Sequence, residues 1–240
     1  SVELQSAISA NRTNVVLPRI GYSMKLPKQY NQFSYYGRGP VNNYADRKTG
    51  QFIELHQGEV GKQDIILPKP QSMGNREEVR YCALRPAQGG EGVAFVADSV
   101  MSVSALPWSQ QQLTQAAHIY QLPESDGTYL HLDAKVTGLG GASCGQGGPF
   151  VEDQALSHNY NFGFIIRPLA AQQKLAEVAK VSPSGEQPIS IEHSRTGMVT
   201  LSSPAKGRTI MYALGGSKKA TAYTAPVNLR AGGTITTWYK

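Results

Sequence analysis

Cysteine is scarce in this chain of 240 residues: Cys82 and Cys144 are the whole supply. Two thiols exclude a disulfide-rich scaffold and a multi-cysteine metal centre, and nothing in the sequence brings them together, so both read as free. Long apolar runs are missing too; none approaches the ~20 residues a membrane-spanning helix needs. Ser1-Val-Glu-Leu4 has no basic start and no apolar stretch, so no secretory signal is read there, as in a mature product or an excised fragment. The five histidines fall in no His-x-x-x-His or His-Glu-x-x-His pattern, which leaves a zinc site without support. No metal or cofactor is expected.

Net charge is missing from most of the chain. Residues 1–190 hold 16 basic and 16 acidic side chains, which cancel. Residues 191–240 hold seven basic residues against Glu192 alone, so the formal net charge of +6 lies entirely in the last fifty positions. Such a shift marks a module boundary. The basic tail carries no recognisable RNA- or DNA-binding motif, and nucleic acid is not an expected partner.

What is present is a β-rich pattern punctuated by demanding turns. The stretch Tyr35–Gly50 packs glycines, a proline, two asparagines and an aspartate into one specified turn before the strand-like Gln51–His56. Further strands are expected at Phe33–Tyr36, Phe52–His56, Val79–Leu84, Val93–Ala97 and Val100–Ala105. Tyr129–Thr137 alternates: Leu130, Leu132, Ala134 and Val136 share one face, and Tyr129, His131, Asp133 and Lys135 the other. Asp126-Gly127 ahead of it is a hairpin-type signal. Ser109-Gln-Gln-Gln112 fits a capping box opening a short helix. After Arg167-Pro168 the texture changes to a connector, helical over Ala170–Lys180, and then a linker over 182–188. The expected organisation is a sandwich region over 1–167, a connector over 168–188 and a compact β module over 189–240.

Candidates for chemistry are few. His131 and Asp133 share a strand face, for which a solvated polar surface is the favoured reading over a catalytic dyad. Glu152 and Asp153 are sequence neighbours, and neighbours seldom make the opposed carboxylate pair of a glycosidase; they too are expected to be solvated. The run Gly138–Pro149 is rich enough in glycine to present backbone N–H groups, but it lacks the Gly-Lys-Ser/Thr ending of a phosphate loop. Two readings of it stand side by side: a loop bringing backbone close to a ligand or domain, or a tight structural crossing.

Four stretches in order carry a family resemblance: Leu17–Gly21, Gly37–Arg47, Trp108–Leu113 and Gly138–Gly145. Together, over roughly residues 15–166, they resemble the C-terminal β-sandwich of glycoside hydrolase family 2 β-galactosidases, a separate small chain in some members. The resemblance implies an all-β fold, the antiparallel supersandwich also seen in galactose mutarotase-like domains, or its latter part, followed here by a small C-terminal β-sandwich. It also implies function by assembly. In that family a (β/α)8 barrel supplies both glutamates of a retaining reaction. No such barrel fits in this chain, so inactivity alone is expected, with a catalytic barrel as partner and carbohydrate as ligand.

The resemblance places a tryptophan of the sugar pocket at Cys144, flanked by Ser143 and Gly145, which match the family pattern. A thiol offers no ring face for stacking, so the wall is kept and the platform lost. Arg38 and Asn43 read as a hydrogen-bonded corner rather than as sugar contacts. Where only part of the sandwich is present, open edges would favour pairing with another copy or with the missing part.

The tail, through Gly197–Ser203, Arg208–Ser217, Tyr223–Leu229 and Gly232–Thr236, resembles the C-terminal β module of chitobiases. That resemblance favours a periplasmic or secreted location. Tyr212, Tyr223, Trp238 and Tyr239 are its candidate stacking residues, about half of them destined for the core. A stand-alone carbohydrate-binding or adhesion module, without hydrolase activity, is the second reading of the whole chain.

Overall fold

The structure, a computed structural model, describes every residue except 65, 142–146, 181–188, 204, 206 and 218. The chain folds as two compact units, Ser1–Ala179 and Lys180–Lys240. Both are all-β and antiparallel apart from short helical turns.

The first unit holds β1 (Val2–Ile8), β2 (Val16–Leu17), β3 (Arg19–Leu26), β4 (Gln32–Gly39), β5 (Phe52–Glu59), β6 (Arg76–Arg85), β7 (Gly92–Leu106), β8 (Thr128–Val136), β9 (Ala155–Leu156) and β10 (Tyr160–Leu169). Eight of them form one sheet in the order β1-β10-β7-β6-β4-β5, from which β8 and β3 branch off β7. The two strands expected at Val93–Ala97 and Val100–Ala105 are one continuous strand of 15 residues. Its first half pairs with β10 and its second half with β8, so no turn is needed between them.

The branch lets the sheet fold over on itself. Tyr22 of β3 meets Phe162 and Phe164 of β10, which are not its pairing partners, at ring separations of 6.3 and 5.6 Å. Between them sits a core of Phe33, Tyr35, Leu84, Phe95, Leu130 and Leu132, all buried. Burying such side chains contributes roughly 1.5–3 kcal/mol each. On the opposite face, Ala83, Ala94 and Leu169 are covered by Leu175 and Val178 of α2 (Leu175–Ala179). The expected helical connector therefore packs against the sheet. Among the described residues β5 has β4 as its one neighbour in the sheet, and it carries the exposed Phe52 and Leu55.

Asp126-Gly127 closes no hairpin. β7 and β8 are neighbours in the sheet, but 21 residues separate them, including α1 (Gln110–Gln115). The capping box that opens α1 has both its bonds, Gln112 N–H to Ser109 Oγ at 3.1 Å and Ser109 N–H to Gln112 Oε1 at 2.8 Å. Cys82 is buried and free, and burial pushes its thiol far above the ordinary range.

The polar face of β8 is not solvated, which corrects the expectation for His131 and Asp133. β8 is an interior strand whose neighbours opposite these residues are small: Gly21 and Ser102 flank Asp133, and Ser23 and Ser104 flank His131. A Cβ on Gly21 would stand 2.4 Å from Asp133 Cα. The small neighbours leave His131 6% and Asp133 1% exposed. Arg19 Nη1 lies 3.6 Å from Asp133 Oδ2, near enough for an ion pair but too far for a hydrogen bond. Desolvation raises the Asp133 carboxyl from 3.8 to about 7, against the pull of Arg19, and lowers the His131 imidazole from 6.5 to about 4, helped by Arg19.

These two shifts oppose each other in stability. Folded Asp133 keeps its proton up to about pH 7 while the unfolded carboxyl releases it near 3.8, so this residue alone makes stability fall as pH rises between those values. Folded His131 stays neutral down to about pH 4 while the unfolded imidazole binds a proton below 6.5, so this residue alone makes stability fall on acidification. Each variant should unmask the other group. Asp133→Asn should melt at lower temperature as pH drops from 6.5 to 4, and His131→Gln at higher temperature over the same interval. Flat, parallel melting profiles for both variants would contradict the buried titrations.

The second unit comprises β11 (Ser190–His193), β12 (Met198–Ser202), β13 (Ile210–Leu214), β14 (Thr221–Ala222), β15 (Val227–Asn228) and β16 (Ile235–Tyr239). They form two three-stranded sheets, β11-β12-β15 and β14-β13-β16, around Val199, Leu201 and Val227. Tyr212 and Tyr223 pack against this core edge to face, which removes them from the candidate stacking residues. Tyr239 is hydrogen-bonded to Ser203 and lies under Arg208, while Trp238 remains exposed.

Candidate functional site

The turn between β4 and β5 is built on an irregularity in β6. Register shifts at Arg76/Val79 and Val79/Tyr81 put Glu78 at φ +56 and push the strand toward its neighbour. β4 accepts the approach because Gly37 has no side chain: a Cβ there would stand 2.8 Å from Val79 Cα. Glu78 is then held by Arg38 Nε at 2.9 Å and Lys48 Nζ at 3.1 Å, and this pairing, Arg38 first, keeps its carboxyl below the ordinary range. Arg38 also donates to Gln51 O at 2.9 Å.

Asn43 is fully buried at the centre of the turn. Its Nδ2 donates to Arg38 O and Val41 O at 3.0 and 2.9 Å, and its Oδ1 accepts from Glu77 N at 2.8 Å. Its own N–H donates to Asn75 O at 2.8 Å, while Asn75 Nδ2 donates to Asn43 O at 2.9 Å. Every contact is structural, as expected for a corner. Beneath it, Ser102 and Asn75 both donate to Glu77 Oε1, at 2.8 and 2.7 Å. Desolvation nevertheless raises the Glu77 carboxyl above its ordinary range. On the other flank, the buried Arg76 donates to Tyr35 Oη at 2.9 Å and pairs with Asp64 at 3.1 Å.

With the turn so fixed, Asp46 reaches the glycine-rich run some ninety residues later in the sequence. Its two carboxylate oxygens accept from Leu139 N at 3.0 Å and Gly140 N at 2.7 Å. Gly138 is required for this approach, since a Cβ there would sit 2.6 Å from the Asp46 carboxylate. Gly140, at φ +87, lies where a Cβ would be 2.6 Å from Gly147 O, so the two limbs of the run meet at their base. Ser143, Cys144 and Gly145, the sugar-pocket candidates, lie outside the described residues. Sequence reasoning assigned no role to Asp46, although an aspartate in a rigid turn and a glycine-rich run with free N–H groups are a natural acceptor and donor pair.

Two open cavities flank this contact. One of about 780 Å3 is lined by Tyr44, Arg47, Lys48, Met73, Leu139 and others; one of about 370 Å3 by Gly140, Gly148, Pro149, Phe150 and Asp153. Asp46 borders both. Beside them Phe150 and Val151 are exposed by 77% and 65%. Of the neighbouring acids, Glu152 is exposed and Asp153 is half-buried, and the backbone O of Asp153 accepts from Gly138 N at 2.8 Å, which ties that segment of main chain to the loop. The carboxyls raised by burial, Asp133 and Glu77, line neither cavity. Among the described residues there is no cluster of three or more His, Cys, Asp or Glu suited to a metal ion.

The turn and the glycine-rich run that meet here are two of the four stretches that carried the resemblance to a galactosidase sandwich. The sequence profile described as beta galactosidase small chain matches residues 1–166. The chain belongs to the β-galactosidase small-chain family. The match takes in β1, which lies ahead of the motifs that carried the resemblance.

Among relatives, the β-galactosidase of Priestia megaterium is 32% identical over 140 residues, covering 58% of this chain and 13% of that protein. That of Lactobacillus delbrueckii subsp. bulgaricus is 35% identical over 127 residues, covering 52% and 12%. That of Halalkalibacterium halodurans is 29% identical over 168 residues, covering 69% and 16%. The small-chain region here thus spans between 12% and 16% of the length of these three proteins.

Asn43→Ala should destabilise the first unit by about 2–4 kcal/mol, because it strands buried backbone groups rather than merely deleting a contact. Asp46→Ala should act locally. Exchange of the Leu139 and Gly140 amide protons should speed up by roughly tenfold or more, with little change in melting temperature. Unchanged exchange at both amides would show that Asp46 does not hold the loop.

Proposed function

We propose that residues 1–166 form a non-catalytic wall of the sugar site in a β-galactosidase-like retaining hydrolase, completing a pocket whose acid/base and nucleophile glutamates lie on a separate barrel. The observation that carries this reading is the Asp46 clamp. It fixes Leu139 and Gly140, in the glycine-rich run that also carries the candidates Ser143, Cys144 and Gly145, against a rigid corner. Membership of the small-chain family and relatives named β-galactosidase support it.

The chemistry expected of this wall is positioning. A sugar ring held against the loop would be oriented for attack by groups the barrel supplies, and misplacement by about 1 Å costs roughly a hundredfold in rate. Cys144, at the place of the family's tryptophan, would narrow the contact to a small thiol face and relax preference among glycans. The exposed Phe150, Val151 and Leu139 around the loop base suit contact with a neighbouring domain or chain.

The second reading, a stand-alone carbohydrate-binding or adhesion protein, draws on the separate fold of Lys180–Lys240 and on its likeness to chitobiase C-terminal modules.

Hydrolysis of nitrophenyl β-D-galactoside separates the two. The chain alone should be inactive, and activity should appear when it is co-expressed with the coding sequence immediately upstream. In the active assembly, Asp46→Ala should lower kcat/KM by roughly tenfold to a hundredfold. Cys144→Trp should change the ranking of galactoside substrates. No activity in either sample, with both parts soluble, would sink the wall reading.

A further inference from the structure

The second unit contains a groove that the galactosidase reading does not use. It encloses about 750 Å3, with His193, Arg195 and Arg230 among its lining residues. Its construction follows from one glycine. Gly197, at φ +79, lies so close to the following strand segment that a Cβ would stand 2.5 Å from Arg230 Cα. Leu229 N–H donates to Gly197 O at 2.8 Å, and Gly197 N–H to Ser194 O at 3.0 Å. The β11–β12 turn carrying Arg195 is thereby sewn to the segment carrying Arg230. Ser194 Oγ is 2.8 Å from Thr196 Oγ1 and accepts from Met198 N at 3.1 Å, which stiffens the turn.

The lining has a definite chemistry. Two arginines and a histidine line it together with the apolar Ile191, Val199, Leu229 and Ile235, and no acidic residue does. Glu192 alternates to the other face of β11 from Ile191 and His193. Among the described residues, no ion pair engages Arg195 or Arg230. The unit around them holds eight basic residues against Glu186 and Glu192, so the field at the groove attracts anions. No aromatic ring lines it, which removes the stacking platform that single-stranded nucleic acids use. The same lack disfavours a neutral sugar, for which ring stacking is the main handle.

We propose that this groove binds an acidic glycan, with Arg195 and Arg230 taking its carboxylate or sulfate groups and the apolar lining receiving the C–H face of a sugar ring. Guanidinium pairs such anions through two parallel N–H bonds, a geometry that ammonium cannot reproduce. The choice of glycan over other anions rests on the glycoside hydrolase reading of the chain.

The test is binding by the full chain, measured by calorimetry at fixed ionic strength, so it stands apart from hydrolysis. The probes are tetragalacturonate, a sulfated galacto-oligosaccharide, neutral galactotetraose and a twelve-residue oligothymidylate. One or both acidic glycans should bind, and whichever binds identifies the anionic group. Arg195→Ala and Arg230→Ala should each weaken that binding by about tenfold, whereas Lys219→Ala, which removes the same charge outside the groove, should cost about twofold or less. All three side chains are exposed, so the variants should fold, and matching melting curves would verify it. The proposal is overturned by absence of binding at about 1 mM, by equal binding of the neutral sugar, by tighter binding of oligothymidylate, or by equal losses in the Lys219 variant. Binding with an inactive co-expressed assembly would uphold the groove while the wall reading failed.

Discussion

The buried amide of Asn43 is the constraint on which the rest of the first unit's site depends. A buried polar side chain is costly unless both its donor and its acceptor are used. Here Nδ2 and Oδ1 are both spent on backbone groups of Arg38, Val41 and Glu77, and Asn75 closes the ring from the opposite side. Neither an aspartate nor a leucine of similar size could meet that pattern, the first lacking donors and the second both functions. The turn is thereby locked to an irregular strand instead of ending in a mobile tip.

Position is then handed on step by step. The bulge around Glu78 needs Gly37 opposite it, and Arg38 and Lys48 neutralise the carboxylate that the bulge exposes. Asp46, at the far end of the same turn, needs Gly138 opposite it and spends both oxygens on consecutive backbone N–H groups. Glycine is used in both places for close approach rather than for flexibility. The contact ties Leu139 and Gly140 to the turn through two charge-assisted hydrogen bonds.

Much of this was legible in one dimension. The Ser109–Gln112 capping box is a local code, read entirely within four residues, and it appears with both its bonds. The Tyr35–Gly50 stretch announced a specified turn, which the structure confines to the residues after Gly39, its first five residues being the end of β4. The family motifs were legible because their order survives even where single residues have changed. Three features were not. The alternation of Tyr129–Thr137 predicts two faces but cannot say that both are covered, since that depends on serines and a glycine from β3 and β7. The continuity of β7 through Asp98-Ser99 depends on neighbours that change halfway along it. The role of Asp46 needs a partner more than ninety residues distant.

By itself the sequence determined the all-β class, the short helix, the demanding turn, the charge asymmetry between the two units and the family. Each of these rests on residue type or local order. The tertiary structure decided which polar groups are buried, which glycines are indispensable and which two motifs form one site. Those outcomes depend on distances between segments remote in sequence, where a single missing Cβ or one carboxylate aimed at two backbone N–H groups settles the arrangement. Local sequence carries no record of such distances.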